Sequence, residues 1–123
     1  MSQSDSTDGL MGWYHVRFDE SGITRDVRPP QQSAWQDEIA WPDIIRVCYM
    51  TKDFYESDEI YIFTRERPES YLIPTEADGG QALFQELIRR RLFDAELAIK
   101  AMSTTDELFC WPEIDGDSKP AAT

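Results

Sequence analysis

The sequence predicts an α+β protein, because strand-like and helical patterns occupy separate parts of the chain. In the first part, up to SYLIP, apolar residues mostly alternate with polar ones, as they do in half-buried strands. In the second part, from DGGQ onward, they recur at helical spacing, and one short apolar run follows. We therefore expect a bent antiparallel sheet, a half-barrel of about six or seven short strands, with one main helix and a short second helix near the C-terminus.

The first two strands are predicted to form a hairpin. In GWYHVRFDE every second residue from Tyr14 to Phe18 is apolar, and in ITRDVRP the residues Ile23, Arg25 and Val27 share one side. The DESG stretch between them is rich in turn-forming residues. The loop RPPQQSAWQ then leads to a short strand, DEIAW, which must end before the proline that follows it.

The stretch DIIRVCYM is the strongest strand in the sequence. Both of its faces are mainly apolar, which is typical of a strand at the centre of a sheet. The stretches EIYIFTR and SYLIP are predicted to pair through the turn ERPE. A last strand, from Leu108 to Trp111, is expected to end the folded body.

Two helices are predicted between the strand SYLIP and the last strand. In DGGQALFQELIRRR the apolar residues recur in the i, i+1, i+4, i+5 pattern of an amphipathic helix. We expect Asp78 to cap the N-terminus of this helix, with Gln81 three residues further on. The stretch FDAELAIKAM is predicted to form the short second helix, with Asp94 as its cap.

Three consecutive arginines, Arg89 to Arg91, end the first predicted helix. Consecutive helical residues diverge by about 100°, so the three side chains cannot form one anion site. Arg89 and Arg90 suit the negative end of the helix dipole, and Glu86 lies four residues before Arg90. Arg91 falls on the apolar face, so either the helix ends before it or it pairs with a carboxylate or carbonyl. Arg91 is therefore our candidate for a structural ion pair.

Length and composition favour one folded domain with two tails. The chain has 123 residues, of which 41% are hydrophobic and 12% aromatic, enough for a packed core. Residues 1–10 and 115–123 are mostly small and polar, so we expect disordered tails there. The single α+β domain is expected to span residues 11–114.

The chain is strongly acidic, with a formal net charge of −12. This charge argues against direct binding to nucleic acid or to an anionic membrane, and it favours a basic protein partner or simply solubility. No apolar run is long enough to span a membrane. The N-terminus lacks the cationic start and apolar core of a signal peptide, so we expect a cytoplasmic protein.

The two cysteines, Cys48 and Cys110, lie in separate apolar, strand-like stretches. There is no CxxC motif and no cluster with histidine, so we expect no metal site and no cofactor. The sequence leaves a disulfide open. Because we expect a cytoplasmic protein, we predict two buried, reduced thiols.

The stretch DFYESDEIY is the predicted partner-binding segment, because it places aromatic rings within an acidic rim. The proposed contact residues are Asp53, Phe54, Tyr55, Glu56, Asp58 and Glu59. Aromatic side chains anchor protein interfaces, and carboxylates steer a basic partner toward them. Two alternatives are a solvated loop whose rings fold onto the core, and a row of carboxylates that mimics a nucleic-acid backbone.

Nothing in the sequence predicts an enzyme. His15 is the only histidine, its neighbours in sequence supply no catalytic partner, and it is expected on a strand surface. There is no nucleophile elbow, no phosphate loop and no HExxH motif. Carboxylate pairs are common in so acidic a chain, so a small enzyme with an unidentified carboxylate site is the alternative function.

Three blocks of the sequence carry a resemblance to a known group of proteins. The blocks IAWPDIIRVCYMTKD, SYLIPTEADGGQALFQELI and LFDAELAIKAMSTTDELFCW together extend from Ile39 to Trp111. In this order they resemble small uncharacterised bacterial proteins with a pleckstrin-homology-like look. The resemblance implies a pleckstrin-homology-like half-barrel and brings no catalytic residues, although a strand after the helices departs from the usual pattern. It also implies an acidic protein-binding module, such as an immunity protein that neutralises a basic toxin or nuclease.

Overall fold

A computed structural model gives the structure of the chain and describes residues 10–52 and 57–112. Within these residues it contains seven strands, three helices and a 3-10 turn at Trp41–Asp43. The strands are β1 (Tyr14–Phe18), β2 (Gly22–Val27), β3 (Trp35–Ala40), β4 (Ile44–Met50), β5 (Glu59–Thr64), β6 (Arg67–Pro74) and β7 (Leu108–Trp111). The helices are α1 (Leu10–Trp13), α2 (Gly80–Arg89) and α3 (Ala95–Met102).

The strands form two antiparallel sheets, with orders β1-β2-β3 and β6-β5-β4-β7. The α+β class, the main helix and the short second helix are confirmed. The prediction of one bent sheet is corrected, because the hydrogen-bonded ladder breaks between β3 and β4 at the 3-10 turn. Pro42 lies within that turn, and a proline cannot donate a backbone hydrogen bond to continue a ladder.

The predicted hairpin and the predicted central strand are both confirmed. β1 and β2 pair from Tyr14 opposite Val27 to Phe18 opposite Ile23. β4 lies between β5 and β7, as its two apolar faces indicated. A register shift follows its first residue, and there Ile45 is exposed although Val47 and Tyr49, at alternate positions after it, are buried.

The core lies between the two sheets and the helices, on the inner face of the four-stranded sheet. Tyr49 of β4 packs against Phe84 of α2, with ring centroids 4.5 Å apart, and Phe93 completes this aromatic cluster. Leu83 and Leu87 of α2 are fully buried. Burial of each such side chain is worth about 1.5–3 kcal/mol, so this face holds α2 on the sheet.

The predicted helix caps had opposite outcomes. Asp94 caps α3 as expected, with its carboxylate accepting a hydrogen bond from the Leu97 N–H at 3.0 Å. The prediction for Asp78 was wrong, because the N-cap of α2 is Gly79, with a φ of 91°. A side chain at Gly79 would also meet the carbonyl oxygen of Val16 at 2.2 Å, so only glycine fits this position.

The C-terminal end of α2 explains the position of Arg91. The helix ends at Arg89, and Arg91 adopts a left-handed φ of 63°. The Arg91 N–H donates to the Ile88 carbonyl at 2.9 Å, and the Leu92 N–H donates to the Leu87 carbonyl at 2.9 Å. This is a Schellman motif, in which glycine is the usual left-handed residue. The helix thus ends before Arg91, which was one of the two predicted outcomes.

The two other arginines have the contacts that the sequence indicated. The Glu86 carboxylate accepts from Arg89 at 2.6 Å and from Arg90 at 2.7 Å. Arg90 also stacks on the ring of Trp41, 4.0 Å from its centroid. Arg91 is exposed and makes no ion pair with any of the residues that the structure describes. Its predicted ion pair therefore stays a prediction.

The prediction of reduced thiols was wrong, because Cys48 and Cys110 form a disulfide. The two residues lie directly opposite each other on β4 and β7. The sequence contained no sign of this pairing, because 62 residues separate the two cysteines. The reduced thiols were predicted from the expected cytoplasmic location, and that location itself stays a prediction.

The predicted tails, 1–10 and 115–123, lie outside the described residues, except that Leu10 begins α1. Across residues 10–52 and 57–112, no helix is long and apolar enough to cross a membrane.

Candidate functional site

The predicted partner-binding segment is described only in part. Asp53, Phe54, Tyr55 and Glu56 lie outside the described residues. Asp58 and Glu59 follow them and lie at the start of β5.

Asp58 has a structural role that its place in the acidic segment did not indicate. Its carboxylate accepts from the Tyr49 hydroxyl and from the Lys52 backbone N–H, both at 2.8 Å. Its carbonyl accepts from both the N–H and the hydroxyl of Thr75, at 2.9 and 3.1 Å. Asp58 therefore closes the connection between β4 and β5. A charge reversal there would disturb folding as well as any interface.

Glu59 is held by the outer surface of the four-stranded sheet. Its carboxylate accepts from the Tyr61 hydroxyl at 2.6 Å and lies 3.6 Å from the Lys52 ammonium. The hydrogen bond to Glu59 raises the pKa of Tyr61 to about 12. Both described residues of the segment are therefore half-buried and held by contacts within the chain.

Arg25 is the most unusual side chain in the described structure, because it is a buried cation between the two sheets. Its side chain is only 8% exposed. It donates to both carboxylate oxygens of Asp37 on β3, at 2.9 and 2.6 Å. It also donates to the Tyr14 hydroxyl at 3.1 Å and to the Leu72 carbonyl at 3.0 Å. Bidentate pairing of this kind compensates for the loss of water around a buried charge.

Aromatic rings complete the surroundings of Arg25. Its guanidinium lies 4.7 Å from the ring centroid of Trp35 and 5.1 Å from that of Tyr71. The Tyr14 hydroxyl donates to the Leu72 carbonyl at 2.6 Å, and burial raises the pKa of Tyr14. The cation thus connects β2, β3 and β6, and its guanidinium packs against the ring of Trp35.

Above this network lies an open cavity of about 290 Å³, which we call the aromatic groove. Its walls are mainly apolar and come from both sheets and from the loop between β2 and β3. The principal wall residues are Trp13, Tyr14, Pro29, Trp35, Leu72 and Pro74. Trp35 is 41% exposed and Leu72 is 39% exposed, so two large apolar side chains of the groove face solvent. Apolar surface gathered in a concave site is typical of a site that receives a partner's side chain.

His15 has a partner that its sequence neighbours did not supply. Its Nδ1 lies 2.9 Å from the carboxylate of Asp78, which also accepts from Arg17 at 2.8 Å. These hydrogen bonds, that of Arg17 first, lower the pKa of Asp78. His15 was expected on a strand surface, and it is half-buried there against the segment that precedes α2.

One carboxyl pair is relevant to the alternative of an enzyme. A hydrogen bond to Asp43 raises the pKa of Glu66. Glu66 lies in a shallow groove of about 360 Å³ that also contains Arg46, Arg65 and Arg67. Among residues 10–52 and 57–112, no group of three or more His, Cys, Asp or Glu residues could hold a metal ion.

The signal that could have identified Arg25 was present in the sequence. Arg25 stands between Ile23 and Val27 on the apolar side of a predicted strand. A cation in that position needs a buried partner, which is the reasoning that the sequence analysis applied to Arg91 instead. The identity of the partner, Asp37, could be decided only by the pairing of β2 with β3.

The chain matches no protein-family model, no curated protein and no solved structure in the three comparisons made.

Proposed function

We propose that this protein is an acidic protein-binding module that recognises a basic protein, such as a toxin or nuclease that it neutralises as an immunity protein. The observation that carries the proposal is the aromatic groove, in which Trp35 and Leu72 are exposed in a strongly acidic chain. Apolar anchors of this kind give affinity, and the net charge of −12 accelerates the encounter with a basic partner.

The proposed fold relation is a pleckstrin-homology-like half-barrel. Its support is the arrangement of two antiparallel sheets with α2 on the inner face of one of them. β7 departs from that arrangement, because it follows both helices and pairs with β4.

Binding kinetics with a basic partner test the proposed function. The partner is identified by stoichiometric co-purification with the full chain, and its association rate is measured by surface plasmon resonance at several salt concentrations. We expect the association rate to fall steeply with salt, as it does when opposite charges steer the encounter. Partners that are all acidic or neutral, or a rate independent of salt, would contradict the proposal.

Two groove variants and one control locate the interface. Trp35→Ala and Leu72→Ala each remove an exposed apolar side chain from the aromatic groove, and we expect each to weaken binding about tenfold or more. Ile99→Ala is the matched control, because Ile99 is 71% exposed but lies on α3. Because Trp35 also contacts Arg25, the replacement of Trp35 can affect folding as well as binding. Leu72→Ala therefore gives a second test of the groove that does not depend on that contact. Equal affinity in all three variants would remove the groove from the interface.

A small enzyme with a carboxylate site is the second candidate function. The specific observation is the raised pKa of Glu66 beside Asp43 and three arginines. Its test is a screen of hydrolase substrates with wild type and Glu66→Gln. An activity that Glu66→Gln abolishes, without loss of folding, would favour the enzyme.

A further inference from the structure

The two sheets have four outer edges, and three of them are closed or short. The edge of β1 is closed by the segment before α2. The Val16 N–H donates to the Asp78 carbonyl at 2.8 Å, and the Asp78 N–H donates to the Tyr14 carbonyl at 2.9 Å. This edge has no room for another strand.

The edge of β6 is closed by side chains. The Leu72 carbonyl accepts from both Tyr14 and Arg25, and the Ser70 carbonyl accepts from Arg67 at 3.0 Å. Pro74, at the end of the strand, has no N–H to offer. A strand cannot add where the outward carbonyls already have donors.

The edge of β7 is short. The Thr51 N–H donates to the Glu107 carbonyl, and the register that this bond sets points the backbone of Leu108 and Cys110 outward. The next outward position is Pro112, which has no N–H. Short strands and prolines are common means by which proteins prevent unwanted pairing at an edge.

The edge of β3 lacks these protections. β3 has six residues, no proline and no lysine, and it pairs with β2 without a register shift. The Trp41 N–H donates to the Ser21 carbonyl, which sets the alternation so that the backbone of Gln36 and Glu38 points away from β2. None of the described residues donates to or accepts from these backbone groups.

We propose that the β3 edge is the docking strand for an extended, basic segment of the partner protein, which adds to the three-stranded sheet as a fourth strand. This inference rests on the proposed function and names the mode of recognition. Backbone hydrogen bonds to Gln36 and Glu38 supply affinity, as in other complexes in which a peptide extends a sheet. Trp35 begins the same strand, so the segment passes beside the aromatic groove.

In the two registers that centre on the middle of β3, charge favours a basic segment over a second copy of this chain. Glu38 is exposed and forms no ion pair within the described part of the chain. If β3 paired with its own copy, the register centred on Glu38 would place Glu38 opposite itself. The register centred on Asp37 would do the same for Asp37. Like charges directly opposite destabilise a strand pair, whereas a lysine or arginine opposite Glu38 stabilises it.

A synthetic peptide tests the inference without the natural partner. The probe is a ten-residue peptide that alternates lysine and valine, and its binding is measured by calorimetry at low salt. Gln36→Pro removes the outward N–H of β3 and no hydrogen bond to β2. Gln36→Ala keeps that N–H and is the matched control. We expect about tenfold weaker binding for Gln36→Pro and wild-type binding for Gln36→Ala.

A charge reversal locates the peptide on the strand. Glu38→Lys should bind the lysine peptide about fivefold or more weakly and should bind a peptide alternating glutamate and valine better than wild type does. Equal binding of the lysine peptide to Gln36→Pro and Gln36→Ala would overturn the inference, and so would dimerisation through β3 in analytical ultracentrifugation.

The natural partner separates failure of this inference from failure of the proposed function. If Gln36→Pro keeps full affinity for the basic partner while Leu72→Ala loses it, the protein is a binding module but β3 is not its docking strand. If wild type binds neither the lysine peptide nor any basic protein, both the function and the docking strand are overturned.

Discussion

The outer edges of β6 and β3 differ in whether their outward backbone groups have hydrogen-bond partners. At β6 the outward Leu72 carbonyl is occupied by a buried arginine and a tyrosine hydroxyl. At β3 the outward backbone of Gln36 and Glu38 has no partner among the described residues. The β6 edge is closed by a buried cation, whose burial costs desolvation energy, whereas the β3 edge stays open.

The same ion pair connects the two edges. Arg25 reaches the Leu72 carbonyl of β6 with one nitrogen and binds Asp37 of β3 with the others. β3 is therefore held firmly on its inner side while its outer side stays unpaired. One strand thus combines a rigidly held inner side with an unpaired outer edge, and a preorganised docking strand requires both.

The largest expected effect comes from removing the cation that closes β6. Arg25→Met should lower the free energy of unfolding by about 3–5 kcal/mol, because it removes a buried cation and leaves the half-buried Asp37 carboxylate without its bidentate partner. Urea denaturation followed by fluorescence measures this. Arg28→Met is the control, since the Arg28 side chain is 71% exposed and, among the described residues, its ion pair is with Asp26. Its cost should stay within about 1 kcal/mol, and equal costs would remove the special role of Arg25.

The disulfide at the short β7 edge should have the next largest effect. It closes a loop of 62 residues between Cys48 and Cys110, and the chain-entropy estimate for such a loop is about 4 kcal/mol. We expect reductant to lower the free energy of unfolding of wild type by up to this amount. The double variant Cys48→Ala/Cys110→Ala is the control, and reductant should leave its stability unchanged. Free thiols in the native, non-reduced protein would contradict the pairing.

Removing the second group that closes β6 should have a smaller effect. Tyr14→Phe deletes the hydroxyl that donates to the Leu72 carbonyl, while Arg25 still donates to that carbonyl. We expect a loss of about 1 kcal/mol in the free energy of unfolding. Tyr71→Phe is the matched control, because the structure shows no described hydrogen-bond partner for the Tyr71 hydroxyl and its replacement should cost less. No loss of stability for Tyr14→Phe, or a loss no larger than that for Tyr71→Phe, would contradict a stabilising role of the Tyr14 hydroxyl.

Arg91 contrasts with Arg25, because it is exposed and forms no ion pair with the described residues. Arg91→Gly should raise the free energy of unfolding by about 1 kcal/mol, since glycine adopts the left-handed conformation at the end of α2 without steric cost. Thermal and urea unfolding both report this gain. Arg91→Ala keeps a β-carbon and should show no gain. If alanine stabilises as much as glycine does, the gain comes from the loss of charge and not from the backbone.

The smallest expected effect is at the closed β1 edge, where Asp78 holds His15 and Arg17. The pKa of Asp78 lies below its usual value of 3.8, so its carboxylate adds stability above that pH. This contribution should disappear as the pH falls through the lowered pKa. We expect wild type to exceed Asp78→Asn in thermal stability at pH 6 and to lose that advantage as the pH falls below the lowered pKa of Asp78. A pH-independent difference would contradict the assignment.

The local elements of the fold could be predicted because local physics governs them. Asp94 caps α3 as its position indicated, and the last strand has the predicted bounds, Leu108–Trp111. Strand alternation placed Val16 and Val27 on the buried side. Sterics, capping and periodicity act over a few residues, so one sequence contains enough information for them.

The candidate site could be predicted only in part. The sequence indicated an acidic chain with aromatic anchors, but it placed them in the segment 53–59, where Asp58 has a structural role. Trp35 and Leu72 are far apart in sequence, and only the packing of β3 near β6 places them in one groove. A groove between two sheets has no local signature.

The sequence by itself determined the class of fold, the helix and strand faces, and the acidic charge that favours a basic partner. Only the tertiary structure decided which residues meet across long separations: Arg25 with Leu72, His15 with Asp78, and Cys48 with Cys110. It also decided which sheet edges are closed. The physical reason is that pairing depends on which strands become neighbours, and no residue encodes its neighbour alone.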